Sequence, residues 1–417
     1  MGLNDTPRGE RVHIAFFGCR NVGKSSLVNK FTGQNLSIVS DTKGTTTDPV
    51  LKAMELLPLG PVIIIDTPGI DDEGELGFLR VEKTYEILEK TDIAILVADA
   101  VTGLNDKDKE LIETFKTSST PYIIAYNKCD LVEENKENKE NTENIENIDN
   151  IENIKNAAGS IYVSATNNVN IEELKEMAAR ILDTNSNELP LISDIVNEND
   201  VIILVVPIDK AAPKGRLILP VQQVIRDAID NGATPFICRE TELKALLKKL
   251  SFKPKMVITD SQVFGFVKDI VPEDILLTSF SILMARYKGN LLPSVKSILA
   301  INEIEEGDNI LISEGCTHHR QCGDIGSVKI PALIKKFTGK NPNIDLSSGT
   351  EFPKDLSKYK LIIHCGACML TKKDAKSRYK RAKTQNIPMT NYGIALAYMN
   401  GILKRSVEVF PDIHKML

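Results

Sequence analysis

No run of this chain approaches the roughly 20 apolar residues of a membrane span, so its 417 residues predict neither an integral membrane protein nor a membrane partner. The opening residues, MGLNDTPRGERVHIAFFGC, lack a basic-then-apolar signal segment, and the expected address is cytoplasmic. Seven cysteines in a chain this long form no disulfide framework. In a reducing compartment they are expected as thiols or metal ligands. A broad basic surface is also missing. The net charge is −6, and residues 133–155 alone carry eight acids against three lysines, which leaves the rest nearly neutral. Nucleic acid is therefore not an expected partner.

A hydrophobic content of 42% and a length sufficient for two to four cores describe a multidomain α/β chain. Apolar segments at 12–18, 61–66, 93–99, 122–127 and 160–165 alternate with helical patterns such as KSSLVNKFTG and KDKELIETFKT. That alternation predicts a parallel sheet with helices on both faces over residues 1–185. The Asn/Glu/Ile triplets of 133–156 have too little apolar surface to fold alone and are expected as a surface insertion. Residues 186–200 are polar, contain Pro190 and show no sustained period, so they are expected as a linker. The rhythm then restarts. Strands are expected at 201–209, 235–240, 255–260 and 275–280, with helices at 220–232 and 241–250, in a middle unit of residues 201–293. That unit lacks a phosphate loop and a cysteine pair, and assembly is its expected role. A third unit, 294–417, has strand candidates at 309–315, 360–365 and 387–391.

Gly18-Cys19-Arg20-Asn21-Val22-Gly23-Lys24-Ser25 follows the first strand as a phosphate loop must. Its glycines let backbone N–H groups curl around phosphates. Lys24 is expected on the β- and γ-phosphates and Ser25 on Mg²⁺, with Val22, Gly23 and Ser26 completing the contacts. Asp66-Thr67-Pro68-Gly69 closes the 61–66 strand, with Asp66 toward the Mg²⁺ shell and the Gly69 N–H toward the γ-phosphate. Asn127-Lys128-Cys129-Asp130 selects the base, because a carboxylate at Asp130 accepts from guanine N1–H and its exocyclic amine. Adenine lacks that donor pair. Backbone groups of Ser164 and Ala165 complete the guanine pocket. Order and spacing together identify a GTP/GDP-binding domain.

This segment resembles the translation-factor-type GTPases of the TrmE/Era group. Gly44-Thr45-Thr46-Thr47-Asp48 matches their first switch, with Thr47 where they carry arginine. The match implies that Thr46 reaches Mg²⁺ and that Asn21 helps to hold K⁺ against the phosphates. The bland alternative for Asn21 is a hydrogen bond that stabilises the loop. No glutamine follows Gly69 to orient water. Ile70 stands nearby, Asp72 and Glu73 are weak substitutes, and slow intrinsic turnover is expected.

Cys316-Thr317-His318 and, about 45 residues on, His364-Cys365-Gly366-Ala367-Cys368 carry soft-metal chemistry. Thiolates bind iron–sulfur clusters and zinc, and a Cys-x-x-Cys turn lets two sulfurs face one metal. Both patches end predicted strands, where α/β sheets gather their ligand sites. Three cysteines leave a four-iron cluster one ligand short. His318 and His364 are candidates for that position, or for hydrogen bonds to the ligands instead. Cys322 is a further candidate or a spare thiol, and His319 is expected to face solvent. Cys19, Cys129 and Cys238 are expected to pack, and His13 and His414 have no metal-like spacing.

Joined to the phosphate loop, this pattern resembles the HydF family of GTPases that mature [FeFe]-hydrogenase, over nearly the full length. The resemblance implies a homodimer formed through the middle unit and a [4Fe-4S] cluster on Cys316, Cys365 and Cys368. It also implies a di-iron precursor as cargo, two radical-SAM maturases as partners, and delivery to apo-hydrogenase. A ribosome- or RNA-associated GTPase with a structural zinc site is the competing reading, and a purely structural interaction protein is the third.

Overall fold

A computed structural model of the chain describes residues 6–34, 50–69, 84–132, 159–184, 189–208, 217–316, 324–349 and 351–417. The 133–156 insertion, Thr46 and the rest of the first switch, Asp72, Glu73, His318, His319 and Cys322 lie outside them. Two compact units divide the chain, residues 1–187 and 188–417.

The first unit is a six-stranded sheet. Its strands are β1 (Val12–Phe17), β2 (Val50–Leu56), β3 (Gly60–Asp66), β4 (Ile93–Asp99), β5 (Tyr122–Asn127) and β6 (Ser160–Tyr162), in the order β2-β3-β1-β4-β5-β6. Only β2 is antiparallel. The sequence reading overlooked it because six of its seven residues are at least partly exposed, so it lacks a buried apolar run. The buried runs of β1, β3, β4 and β5 fill the sheet's core, which Leu27, Val28 and Phe31 of the helix Lys24–Thr32 cover. The chain passes from β3 across β1 to β4. That reversal opens a crevice at the carboxyl end of β1, where such sheets bind ligands.

The second unit holds two four-stranded parallel sheets. One contains β7 (Val201–Val205), β8 (Thr234–Cys238), β9 (Met256–Thr259) and β10 (Leu276–Ser279), ordered β10-β9-β7-β8. The other contains β11 (Asn309–Glu314), β12 (Asn343–Ser348), β13 (Leu361–His364) and β14 (Met389–Asn391), ordered β12-β11-β13-β14. One apolar core is continuous from Ile202 and Ile258 through Leu283, Ile298 and Ile312 to Phe410. Arg405 reinforces it by donating to the carbonyls of Val271 and Pro272 from the C-terminal region.

Residues 189–200, the described part of the expected 186–200 linker, correct that expectation. Leu191, Ile192 and Val196 are buried in that core. Asp227 accepts from the N–H groups of Ile192 and Ser193 at 2.8 and 3.0 Å, and Arg286 pairs with Asp194 and donates to the Pro190 carbonyl. Ile195 packs against the same core, and the N–H groups of Ile195 and Val196 donate to the Ile192 carbonyl, so one short turn presents these apolar side chains together.

Candidate functional site

The phosphate loop is built by backbone conformations that few residues tolerate. Gly18 (φ 147°) and Gly23 (φ 82°) lie in the left-handed half of the map. A Cβ on Gly18 would stand 2.4 Å from the Val97 carbonyl, and one on Gly23 would stand 2.3 Å from Asn127 Nδ2. Asn21 takes φ 61°, a conformation that asparagine enters more readily than most residues. Gly23 caps the helix Lys24–Thr32 without a side-chain acceptor. The N–H groups of Lys24, Ser25 and Ser26 therefore head a helix whose positive end suits phosphate.

The parallel pairing of β1 with β3 sets Phe16 opposite Asp66, so the loop and Asp66 share one sheet end. Lys24 Nζ lies 2.6 Å from Asp66 Oδ1 and also donates to the Thr67 carbonyl. Ser25 Oγ lies 3.0 Å from Asp66 Oδ2. A hydroxyl and a carboxylate side by side are the hard oxygen donors that Mg²⁺ requires. Gly69 is the last described residue of its segment.

Asn127 ties the base-selecting turn to the loop. Its Nδ2 donates to the Val22 carbonyl at 2.9 Å, and its Oδ1 accepts the Ala165 N–H at 3.0 Å. Ser164 is fully buried, and its Oγ accepts the Asn167 N–H. Lys128 Nζ donates to the Asn21 carbonyl and to Asp99 Oδ2, each at 2.7 Å. The sequence reading missed Asp99. Its signal was its place at the end of β4, in register with Asn127 on β5. Burial alone would raise the Asp99 pKa, but hydrogen bonds from Lys128 and the Val101 N–H outweigh it and hold the carboxyl below its usual range. Asp130 Oδ1 is buried and has no hydrogen-bond partner among the described residues. Such an acceptor carries a desolvation cost of about 1–3 kcal/mol unless something donates to it. Guanine supplies two donors.

The second constellation lies at the carboxyl ends of β11 and β13. These strands are neighbours with Ser313 opposite His364, which brings the Cys316 and Cys365 segments to the same end of the sheet. The Cys365 N–H donates to the Ser313 carbonyl at 2.8 Å. Cys365 Sγ accepts the N–H groups of Gly315 and Ala367 at 3.1 and 3.4 Å, and Ala367 holds φ 57° to close the turn. Burial pushes the Cys365 thiol up and carries Cys368 to about 12, against the opposing pull of Lys288. Buried sulfur becomes thiolate when a cation or metal meets it, and backbone N–H donors then stabilise it. The cysteines fit a thiolate-held centre in that respect. Among the described residues, no group of three or more His, Cys, Asp and Glu side chains could hold a metal ion. The described cysteines are thiols, not disulfides.

His364 departs from its reading as a candidate ligand. It is 1% exposed, with Nδ1 2.9 Å from the Cys365 carbonyl and Nε2 3.1 Å from Arg378 Nη1. Both ring nitrogens are engaged in hydrogen bonds, and the Arg378 guanidinium, which only donates, occupies the Nε2 lone pair. Burial and the Arg378 charge lower its pKa to about 4. The reading as a hydrogen-bonding neighbour of the cysteines is the one this geometry favours. Lys288 and Arg378 were both missed, because neither stands in a motif. Lys288 is buried and donates to the Leu370 carbonyl at 2.6 Å. A Cβ added to Gly366 within the Cys365–Cys368 turn would stand 3.9 Å from both Ser281 and Met284.

Comparisons with known proteins follow this division. A family model described as "50S ribosome-binding GTPase" matches residues 13–128, the "Hydrogen maturase F dimerization domain" matches 191–289, and the "Hydrogen maturase F tetramerization domain" matches 291–409. GTPase Der of Clostridium botulinum (strain Loch Maree / Type A3) is 36% identical over 136 residues, 32% of this chain and 31% of its own length. GTPase Der of Clostridium perfringens (strain SM101 / Type A) is 36% identical over 135 residues, 31% of each chain. The chain thus spans about a third of the length of these curated relatives. Aquifex aeolicus Era aligns at TM-score 0.35 and 21% identity over 62% of this chain and 97% of that one. The G domain of the T. maritima FeoB iron transporter aligns at TM-score 0.30 and 23% identity over 41% and 98%. The two hydrogen maturase F models run almost end to end behind the GTPase model and together take in more than half of the residues, and the chain belongs to the hydrogen maturase F (HydF) family.

Proposed function

We propose that this chain is a cytoplasmic GTPase scaffold of [FeFe]-hydrogenase maturation. It binds a [4Fe-4S] cluster through Cys316, Cys365 and Cys368, receives a di-iron precursor made with two radical-SAM maturases, and delivers it to apo-hydrogenase. The observation that carries this reading is the direct pairing of β11 with β13, from whose carboxyl ends both cysteine segments leave, in a chain that also holds a GTP-binding domain. When bound, the cluster supplies an iron with a vacant protein coordination site, where cargo can dock.

In the nucleotide domain Lys24 neutralises the β- and γ-phosphates, and Ser25, Asp66 and Thr46 hold Mg²⁺. The Gly69 N–H senses the γ-phosphate, and Asp130 selects guanine. Asn21 assists K⁺ as a second counter-charge to the transition state, as an arginine finger does elsewhere. Turnover is slow because no glutamine orients the water.

The test uses full-length protein purified anaerobically. Lys24→Ala should lower GTP turnover by about 10²–10³-fold, the cost of removing one fixed donor from a charge-stabilising site, while iron content stays at the wild-type value. Exchange of K⁺ for Na⁺ should slow the wild type. Iron lost together with turnover would show that the two sites are not independent. Equal rates in the two salts would remove K⁺ from the reading.

The family models name dimerization and tetramerization domains, and β8 has the features of an assembly surface. It is the edge of its sheet, and Phe236 and Ile237 are 37% and 48% exposed. An exposed apolar edge is a template for another strand. Phe236→Lys with Ile237→Lys should convert the assembly to a smaller species by light scattering and leave GTP turnover intact. An unchanged mass would move the interface elsewhere.

A further inference from the structure

We infer that Arg378 is a positioning residue for the thiolate centre, clamping together the two chain segments that carry Cys316 and Cys365. The inference rests on the cysteine assignment above and deepens it.

A continuous hydrogen-bond path joins the two segments. The Gly349 N–H donates to the Cys316 carbonyl at 3.2 Å. The Gly349 carbonyl accepts from Arg378 Nη2 at 2.7 Å. Arg378 Nη1 lies 3.1 Å from His364 Nε2, and His364 Nδ1 lies 2.9 Å from the Cys365 carbonyl. A guanidinium has only donors, so His364 Nε2 must accept and carry no proton. The ring proton is then on Nδ1 and points at Cys365. Arg378 thereby selects the histidine tautomer as well as its orientation.

A third donor is also used, since Arg378 Nε reaches Asp374 Oδ1 at 3.2 Å one helical turn earlier in Lys372–Thr384. That carboxylate neutralises the cation and aims its plane. Phe352 covers the guanidinium face at 5.2 Å, and Arg378 is 3% exposed. Gly349 closes β12 with φ 62°, so the path touches the ends of three adjacent strands, β12, β11 and β13.

The need for such a clamp follows from where the sheet stops. The β11–β13 ladder holds the segments together up to Ser313 and His364, and Cys316 lies three residues beyond it. Past that point the Cys365 N–H still reaches the Ser313 carbonyl and the Gly315 N–H meets Cys365 Sγ, but no rung of the ladder extends to Cys316. The planar fork of arginine spans that gap with two fixed donors, and the single ammonium of lysine cannot.

The experiment compares full-length wild type with Arg378→Met, Arg378→Lys, His364→Ala and His364→Gln after anaerobic reconstitution. Circular dichroism and its thermal transition report folding. Iron release to a chelator should quicken about 10–100-fold in Arg378→Met, the range for loss of a group that orients a metal ligand. Arg378→Lys should fall between, and His364→Ala should match Arg378→Met. His364→Gln should return toward wild type, because an amide offers one donor and one acceptor. Wild-type release from folded Arg378→Met would overturn the clamp.

A metal-free measurement keeps the clamp separate from the cluster. A short bis-maleimide should bridge Cys316 and Cys365 in wild type, as mapped by peptide mass spectrometry, and bridge them less in Arg378→Met. If wild type takes up no iron while the bridge still weakens in the variant, the clamp stands and the cluster assignment falls. An unweakened bridge in the variant rejects the clamp.

Discussion

Asparagine at position 130 should turn the nucleotide preference from guanosine toward xanthosine triphosphate. Asp130 Oδ1 is a buried acceptor without a partner among the described residues. It is presented by a turn fixed from both sides. The Cys129 N–H donates to the Val163 carbonyl at 3.2 Å, Lys128 holds φ 67°, and Asn127 bridges the phosphate loop to Ala165. A carboxylate there takes two charge-assisted hydrogen bonds from guanine, each of roughly 1.5–3 kcal/mol. An amide at the same place keeps one acceptor and turns a donor against the exocyclic amine. The GTP affinity of Asp130→Asn should fall by at least ~3 kcal/mol, or ~150-fold. Xanthine carries a carbonyl in place of that amine and accepts from the new amide, so it should bind better than to the wild type. Competition of both nucleotides against a fluorescent guanine nucleotide measures the change. An unaltered preference for GTP would mean that guanine is recognised elsewhere.

Serine at position 365 should remove most of the bound iron. Oxygen replaces a polarisable thiolate with an alcohol that does not ionise near neutral pH, and the Gly315 and Ala367 N–H groups lose the sulfur they now meet at 3.1 and 3.4 Å. Iron retained by Cys365→Ser after anaerobic reconstitution should drop at least ~10–100-fold, since even groups that only orient ligands carry that much. GTP turnover should hold at the wild-type rate, because the nucleotide domain is a separate compact unit. Wild-type iron content in the variant would take Cys365 out of the ligand set. A colourless wild type holding one zinc per chain would instead favour the ribosome- or RNA-associated reading.

The two sites were legible to different depths. In the phosphate loop, function and geometry lie within eight consecutive residues, and the demands of a tight turn are written as Gly18 and Gly23. The strands that carry the motifs are buried on both faces, so their apolar runs stood out. The strand β2 is largely exposed and β12 has no fully buried residue, and neither stood out. The 189–200 stretch escaped because its apolar side chains, Leu191, Ile192, Ile195 and Val196, occupy a single turn, too short to read as a sustained period. Asp99, Lys288 and Arg378 escaped for another reason. Each is an ordinary charged residue until a fold carries it to a distant partner. Asp99 meets Lys128 through the β4–β5 register, Lys288 meets Leu370, and Arg378 meets Gly349 and His364.

Motif order and spacing by themselves determined that this chain binds guanine nucleotide and bears a separate set of thiols, because phosphate loops, base-selecting turns and Cys-x-x-Cys turns are short-range chemistry. The tertiary structure decided the rest. It engaged both nitrogens of His364 in hydrogen bonds and left Asp130 with a buried oxygen awaiting donors. It also ran one core through both sheets, across the division at residues 289–291 that the family models draw. Hydrogen-bond satisfaction and burial depend on what the rest of the chain brings near, and no local pattern of residues specifies that.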